Sequence, residues 1–278
     1  MPQRLARRLS VRWESMRSFP LPRYTLGTPK IGGSGPLDPF FPPTSQTLAA
    51  AATSDEAMSS VIKLLEELTP NDLLAAQHFF LAWGRAKYGD HWRFANITTM
   101  LWAAATLIEP TNYLEIGVQR GRSAAIVGSV CPDCAICGFD LWIPEYAGVP
   151  NPGPDFVRSE LQSVRHRGEV TLVSGDSRQT LPAFLREHPD LYFDLITFDG
   201  DKSIMGAGSD FANALPRLKV GGIVVFDDMP LKPVLRRIWD RVICQDGRYV
   251  QWEFADAGKG VAAAIRVSDG APLAPRRR

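Results

Sequence analysis

No apolar run in the sequence approaches the ~20 residues that a bilayer-spanning helix needs, and no secretory apolar stretch follows Met1. No membrane partner is therefore expected, and a cytoplasmic location is the expectation. Excess charge is equally scarce. Lys and Arg number 31 against 30 Asp and Glu, a formal net charge of +1, so the overall balance offers no field for nucleic acid. Histidines are few. His78, His91, His166 and His188 show no ligand spacing, and helix-packing or surface roles are expected of them. Of the four cysteines, Cys131, Cys134 and Cys137 form "CPDCAIC". The fourth, Cys244, is not at motif spacing, so a helix-to-strand loop is a better reading than a four-thiolate metal or cluster site. The dinucleotide fingerprint G-x-G-x-x-G is absent too.

The charge that is present is unevenly placed. The first thirty residues carry seven Lys or Arg and one acid, Glu14, and the chain ends "PRRR". Both ends read as solvated tails. An Arg-rich, acid-poor start also suits an organelle transit peptide, but Pro20, Pro22 and Pro29 break up any long amphipathic helix. Residues 1–53, rich in Pro, Gly and Ser, read as a weakly ordered segment with little apolar surface to offset its ordering entropy. Phe40 and Phe41 are its candidates for docking on the domain.

Helical signals begin with "TSDEAMSSVIKLLEELTP", where Ser54 is the expected N-cap and Pro70 the stop. A second helix runs from Asn71 to near Gly89 and a third over about 94–108. Phe79, Phe80, Trp83 and Trp92 are expected to be core. Residues 54–110 thus form a helical N-terminal part, expected either to cap the site or to form a homodimer interface. From Asn112 short apolar runs alternate with helical stretches: "NYLEIG", "AICGFDLW", "EVTLVSG", "FDLITFDG" and "GGIVVFDD", with helices expected at 121–130, 154–166, 177–187, 206–217 and 231–242. Such alternation is the mark of an α/β, doubly wound, mostly parallel sheet covered on both faces. "RYVQWEFA" and "GVAAAIRV" close it as an antiparallel C-terminal pair. The main domain is 111–268, and 269–278 is a basic tail.

Two of the apolar runs end abruptly in carboxylates, Asp199 in "FDLITFDGDKS" and Asp227 and Asp228 in "GGIVVFDD". In open α/β sheets ligands bind outside the carboxyl ends of the strands. The first strand ends in "EIGVQRGRS". Gly117 and Gly121 flank a turn into a helix, where backbone without Cβ lets a ligand approach and the helix start favours a negative group. The second strand ends in Asp140, an acid placed to hold a ribose diol, and the third in "SGDS", with Asp176 and Ser177.

In this order and spacing, "EIGVQRGRSA", "GFDLW", "SGDS", "FDLITFDGDKS" and "GGIVVFDD" resemble the successive motifs of class I S-adenosyl-L-methionine-dependent methyltransferases. The pattern is most similar to the metal-dependent O-methyltransferase group, which includes catechol-type and macrolide-sugar enzymes. The resemblance spans about 112–267 and implies a Rossmann-like methyltransferase sheet. It further implies that Glu115, Gly117, Gly121 and Ser123 hold the methionine part of S-adenosylmethionine, that Asp140 binds its ribose, and that Asp176 and Ser177 lie on the adenine side. Asp199, Asp227 and Asp228 correspond to the Mg²⁺ ligands. Mg²⁺ favours oxygen ligands and keeps waters and substrate in its shell. Lys202 takes the place of a catalytic lysine, with Asp201 as its rival for the role of base. A lysine among carboxylates keeps its proton unless desolvation or metal charge opposes them.

The resulting expectation is divalent-metal-assisted O-methylation of a small hydroxylated molecule, a sugar or secondary metabolite. Trp142, Tyr146 and the "MPLKP" loop are the expected substrate contacts. Two other readings fit the motif pattern: a cephalosporin-hydroxylase-like protein with different chemistry, and a non-catalytic binding module.

Overall fold

The computed structural model describes residues 45–230, 232–255 and 259–269. Most of the N-terminal segment 1–53, with Phe40 and Phe41, and nearly all of the basic tail lie outside the described residues. One helix falls inside the segment expected to be weakly ordered. Helix α1 (Ser45–Ala52) has the sequence SQTLAAAA, and Leu48, Ala49 and Ala52 are buried. It packs against α4 and β6. A run of alanines has high helix propensity but no amphipathic stripe, so periodicity is silent there.

Three more helices precede the sheet. Helix α2 (Asp55–Glu67) starts at Ser54, whose hydroxyl accepts from the Ala57 amide at 3.0 Å. Asp55 and Glu56 complement its positive end. Helix α3 (Asp72–Tyr88) is capped by Asn71, which accepts from the Leu73 and Leu74 amides. Helix α4 (Ile97–Ile108) begins three residues later than periodicity suggests. Asn96 and Thr99 form a capping box there, leaving Phe94 and Ala95 as a buried lead-in.

The aromatics of α3 correct the core expectation. Phe79 is 68% exposed, and Phe80 and Trp83 are also exposed. Trp92 is the ring that inserts: it stacks on Phe94 at 5.1 Å and lies where a Cβ on Gly84 would be.

The sheet has seven strands: β1 (Asn112–Ile116), β2 (Ala135–Asp140), β3 (Val170–Ser174), β4 (Phe193–Phe198), β5 (Leu218–Asp227), β6 (Tyr249–Phe254) and β7 (Val261–Arg266). Their order is β3-β2-β1-β4-β5-β7-β6. The first five run parallel, and β7 pairs antiparallel with both β5 and β6. Helices α5 (Arg122–Val130), α6 (Pro154–Ser163), α7 (Ser177–Glu187), α8 (Ile204–Ala214) and α9 (Pro233–Trp239) lie between the strands. The chain is the doubly wound, mostly parallel fold that the alternation predicts.

Alternate residues of each strand feed two cores. Tyr113, Ile136, Leu195 and Val225 join helices α1–α6 on one face, whereas Leu114, Phe139, Ile196 and Phe226 join α7–α9 on the other. Asp194 interrupts this pattern inside β4. Its carboxylate is buried and accepts from the Thr111 hydroxyl, the Thr111 and Asn112 amides and Lys219. It therefore locks the start of β1 to β4 and β5.

Winding begins at β1, moves out to β3, then returns to β4 on the other side of β1. The switch point is thus the gap between the carboxyl ends of β1 and β4, where open α/β sheets form their crevice.

Candidate active site

At that gap the backbones touch. The Asp199 amide donates to Ile116 O at 2.8 Å. Gly117 follows with φ 91°, and a Cβ there would lie 2.5 Å from the Asp199 carbonyl carbon. Only glycine meets both demands. Gly121, at φ 78°, starts α5 against Val157 of α6. Between them the Gln119 amide donates to Asp140 Oδ2 at 2.7 Å, and the Trp142 amide donates to Oδ1 at 2.6 Å. Asp140 thus ties the turn after β1 to the loop after β2. A carboxylate has about four acceptor positions, so two are left for a diol.

Glu115 lies beneath the turn and is buried. Its Oε2 has no hydrogen-bond partner. Burial, reinforced by the charge of Asp199, holds this carboxyl well above its usual range, against a hydrogen bond from Ser123. Above it is an open cleft lined by Leu74, Gly117, Gln119, Arg122, Ser123 and Asp199 among others. A carboxyl oxygen without a hydrogen bond under a glycine cradle fits a ligand that brings a polar or cationic group.

Helices α3 and α6 close the cleft. Arg122 Nη1 donates to Gln77 Oε1 of α3 at 2.8 Å, and buried Glu160 of α6 accepts from the amide of Thr69 at 3.1 Å. The helical N-terminal part therefore sits over the site.

Beside the cleft, β4 and β5 deliver the three expected carboxylates together. Asp199, Asp227 and Asp228 each offer an oxygen within 4.8 Å of the others. Burial, followed by the charge of Asp199, pushes Asp227 up to about 7. Asp228 has φ 62°, and its buried Oδ1 has no hydrogen bond, only the Lys259 ammonium at 3.6 Å. Three close hard oxygens, one of them without a hydrogen bond, fit a divalent cation of the Mg²⁺ type.

Lys202 Nζ donates to Asp199 Oδ1 at 2.6 Å and lies 3.9 Å from Asp228 Oδ2. Burial pulls its pKa down, but the charges of Asp199 and Asp227 outweigh that and raise it. Asp201 points elsewhere. Its two oxygens accept from the Ser203 amide and hydroxyl at the start of α8, outside the carboxylate cluster.

The expected adenine-side residues are occupied locally. Asp176 caps α7 and pairs with Arg178 at 2.5 Å. The Ser177 hydroxyl donates to Asp210 Oδ1 at 2.7 Å. Asp210, on α8, is a buried acid that periodicity does not single out. Burial pushes it up to about 6, against the Ser177 hydrogen bond. Its folded pKa lies above the ordinary aspartate value of about 3.9, so ionisation weighs against the native state. Stability contributed by this group is lost as pH rises through the window from about 4 to 6. Asp210→Asn is expected to remove that slope. Relative to wild type it gains about 3 kcal/mol between pH 4 and 7, at about 1.4 kcal/mol per pKa unit. Urea unfolding at several pH values measures this, and parallel curves for the two proteins would contradict it.

Of the expected substrate contacts, Trp142 has φ 52° and donates from Nε1 to Ser174 Oγ at 2.9 Å. Tyr146 is exposed, and its carbonyl accepts from Gln119 Nε2 at 3.4 Å. The loop after β2 is thereby pinned over the glycine turn. The cysteines sit apart from the site. All four are free thiols, and burial pushes Cys131 up to about 11 and Cys137 to about 12. Among the described residues no helix is long and apolar enough to cross a membrane.

Residues 114–229 match the family model described as a methyltransferase domain. No curated protein matches the chain. Among solved structures, the O-methyltransferase TomG from Streptomyces achromogenes, involved in tomaymycin synthesis and in complex with SAM, is 19% identical. That alignment covers 77% of this chain and 91% of TomG, with a TM-score of 0.50. A TDP-rhamnose 3′-O-methyltransferase of calicheamicin biosynthesis, in its apo form, is 23% identical over 77% of this chain and 94% of its own, at 0.49. An O-methyltransferase from Bacillus cereus in complex with SAH is 17% identical over 80% and 96%, at 0.48. At these identities the likeness to TomG is one of fold.

Proposed function

We propose that this chain, whose residues 114–229 match the family model described as a methyltransferase domain, transfers the methyl group of S-adenosylmethionine to a hydroxyl oxygen of a small molecule, a sugar or secondary metabolite, with the help of a divalent cation. One observation carries this reading. Three carboxylates and a lysine converge at the carboxyl ends of β4 and β5, directly beside the glycine cradle at the end of β1. A cofactor cleft and an oxygen-activating cluster thus share one wall, Asp199.

When bound, S-adenosylmethionine supplies a methyl group on a sulfonium, and a divalent cation supplies charge that lowers the pKa of a hydroxyl. The chain does the rest. The Gly117–Gly121 turn and Ser123 seat the methionine end, Glu115 receives donors from that end, and Asp140 receives the ribose. Asp199, Asp227 and Asp228 would hold the cation. In the transfer the acceptor oxygen bonds to the methyl carbon, the carbon–sulfur bond breaks, and the hydroxyl proton leaves to a base.

Lys202 Nζ is the group we assign to that proton. The same carboxylates that keep it protonated are the ones a cation would engage, and their field on the lysine is then spent. Asp201 is committed to Ser203, which favours Lys202 between the two. Holding two reactants in register lowers a barrier by roughly 7–11 kcal/mol, and the pinned loops around Asp140 and Asp199 are suited to that.

Methyl transfer to a hydroxylated acceptor is expected to fall at least about a hundredfold in chelator and to return with Mg²⁺, because the cation's charge stabilisation amounts to several kcal/mol. Formation of S-adenosylhomocysteine measures it. Undiminished transfer in chelator contradicts the metal-assisted mechanism.

A further inference from the structure

The carboxylate cluster carries more lysines than it needs. Asp228 Oδ2 is met by Lys232 Nζ at 2.9 Å, and its Oδ1 by Lys259 Nζ at 3.6 Å. Lys202 already has Asp199 as its own partner. Lys232 and Lys259 are different in kind from Lys202. Their side chains are 46% and 77% exposed, and among the described residues each has an ion pair with Asp228 alone. Two long surface cations aimed at the two oxygens of one buried carboxylate must place their ammonium groups close to one point.

That point is held by rigid backbone. The Asp228 amide donates to Gly260 O at 3.1 Å, and Gly260, at φ 76°, is packed so closely that a Cβ would meet the Pro230 ring. The segment after β5 that carries Lys232 and the turn before β7 that carries Lys259 are therefore joined at the site's outer end. Along the sheet edge the order is glycine cradle at β1, carboxylate cluster at β4 and β5, then these lysines at β5 and β7.

Charge gives this arrangement its meaning. Once Asp227 has lost its proton, the three carboxylates and three lysines balance one another. A divalent cation on the carboxylates leaves an excess of two positive charges and takes Asp228 away from Lys232 and Lys259. A dianion beside them restores neutrality. Resting on the metal-assisted reading above, we infer that Lys232 and Lys259 form a subsite for a phosphate ester on the methyl acceptor. The acceptor is then a phosphorylated, hydroxylated small molecule. Its hydroxyl faces Asp199 and Lys202, and its phosphate lies toward the turn between β6 and β7. Asp228 acts as the internal stand-in for that phosphate until the cation draws it off.

Phenyl phosphate, which has no acceptor hydroxyl, is the probe. Its binding is measured by calorimetry at low ionic strength on wild type, Asp228→Asn, the double variant Lys232→Gln/Lys259→Gln, and the triple variant. In metal-free protein Asp228→Asn frees the lysines without a cation, and asparagine tolerates the positive φ. It is expected to bind the probe about tenfold more tightly than wild type, a gain of about 1.4 kcal/mol. The triple variant loses that gain. Saturating Mg²⁺ gives wild type a similar gain that the double lysine variant lacks. A gain of equal size in the triple variant, or in the double variant with Mg²⁺, overturns the subsite, because the effect is then general electrostatics or direct metal contact. S-adenosylhomocysteine is titrated into the same samples. If it fails to bind wild type, the methyltransferase reading itself falls. If it binds all four proteins alike while the lysines leave phosphate affinity unchanged, the subsite alone falls.

Discussion

Replacing Asp199 and Asp227 together by asparagine lowers methyl transfer by about a thousandfold while leaving the fold in place. The expected size follows from several kcal/mol of charge stabilisation by a bound cation at about 1.4 kcal/mol per factor of ten. Asparagine keeps the shape of both side chains and removes two anionic ligands. At Asp227 the change relieves the native state, because burial already pushes that carboxyl up to about 7. At Asp199 it removes the partner of Lys202, which keeps Asp228 at 3.9 Å. Asp227 must also lose its proton to accept a cation, so Mg²⁺ binding to wild type strengthens as pH rises through about 7. Rates at saturating S-adenosylmethionine, with circular dichroism as the check on folding, measure the effect. A folded double variant within tenfold of wild type would contradict it.

Asp194→Ala unfolds the protein more easily by about 3–5 kcal/mol, the cost of removing one member of a buried ion pair. The carboxylate is buried in the middle of the sheet and accepts from two amides, a hydroxyl and Lys219. Its removal strands all four donors and leaves a half-buried ammonium without its partner at 2.8 Å. Asp194→Asn keeps an acceptor for the Thr111 and Asn112 donors and is expected to cost less. Equilibrium denaturation in urea ranks the two. A loss below about 1 kcal/mol for the alanine variant would mean that water reaches the stranded groups.

Much of this is legible in the sequence alone. Short apolar runs that end in Asp140, Asp199 and Asp227 mark parallel strands by their length and the ligand edge by their final residue. A parallel sheet puts all those ends on one side. Ser54 acts as the cap it suggests, and Asn71, where the second helix is expected to start, turns out to cap it, since a side chain two or three residues from an orphan amide needs no tertiary help. The C-terminal pair is antiparallel as its turn implies, but it is β7 that pairs with β5.

What stayed hidden depends on distant partners. Asp194 looks like a flaw in an apolar run until Thr111, 83 residues earlier, is seen to bind it. Asp210 and Ser177 meet across 33 residues, and Lys259 reaches Asp228 only because β7 inserts between β5 and β6. Helix α1 has no amphipathic pattern to read. Phe79 and Trp83 fall on a helix whose aromatic face is only partly covered, so helical spacing misassigned them to the core.

Calorimetric titration of S-adenosylhomocysteine into the purified protein, with and without Mg²⁺, tests the central claim most directly, on wild type and on Asp199→Asn/Asp227→Asn. Both proteins are expected to bind the cofactor, with a separate heat of Mg²⁺ binding that wild type shows and the double variant lacks. Absence of S-adenosylhomocysteine binding by wild type in every condition would contradict it.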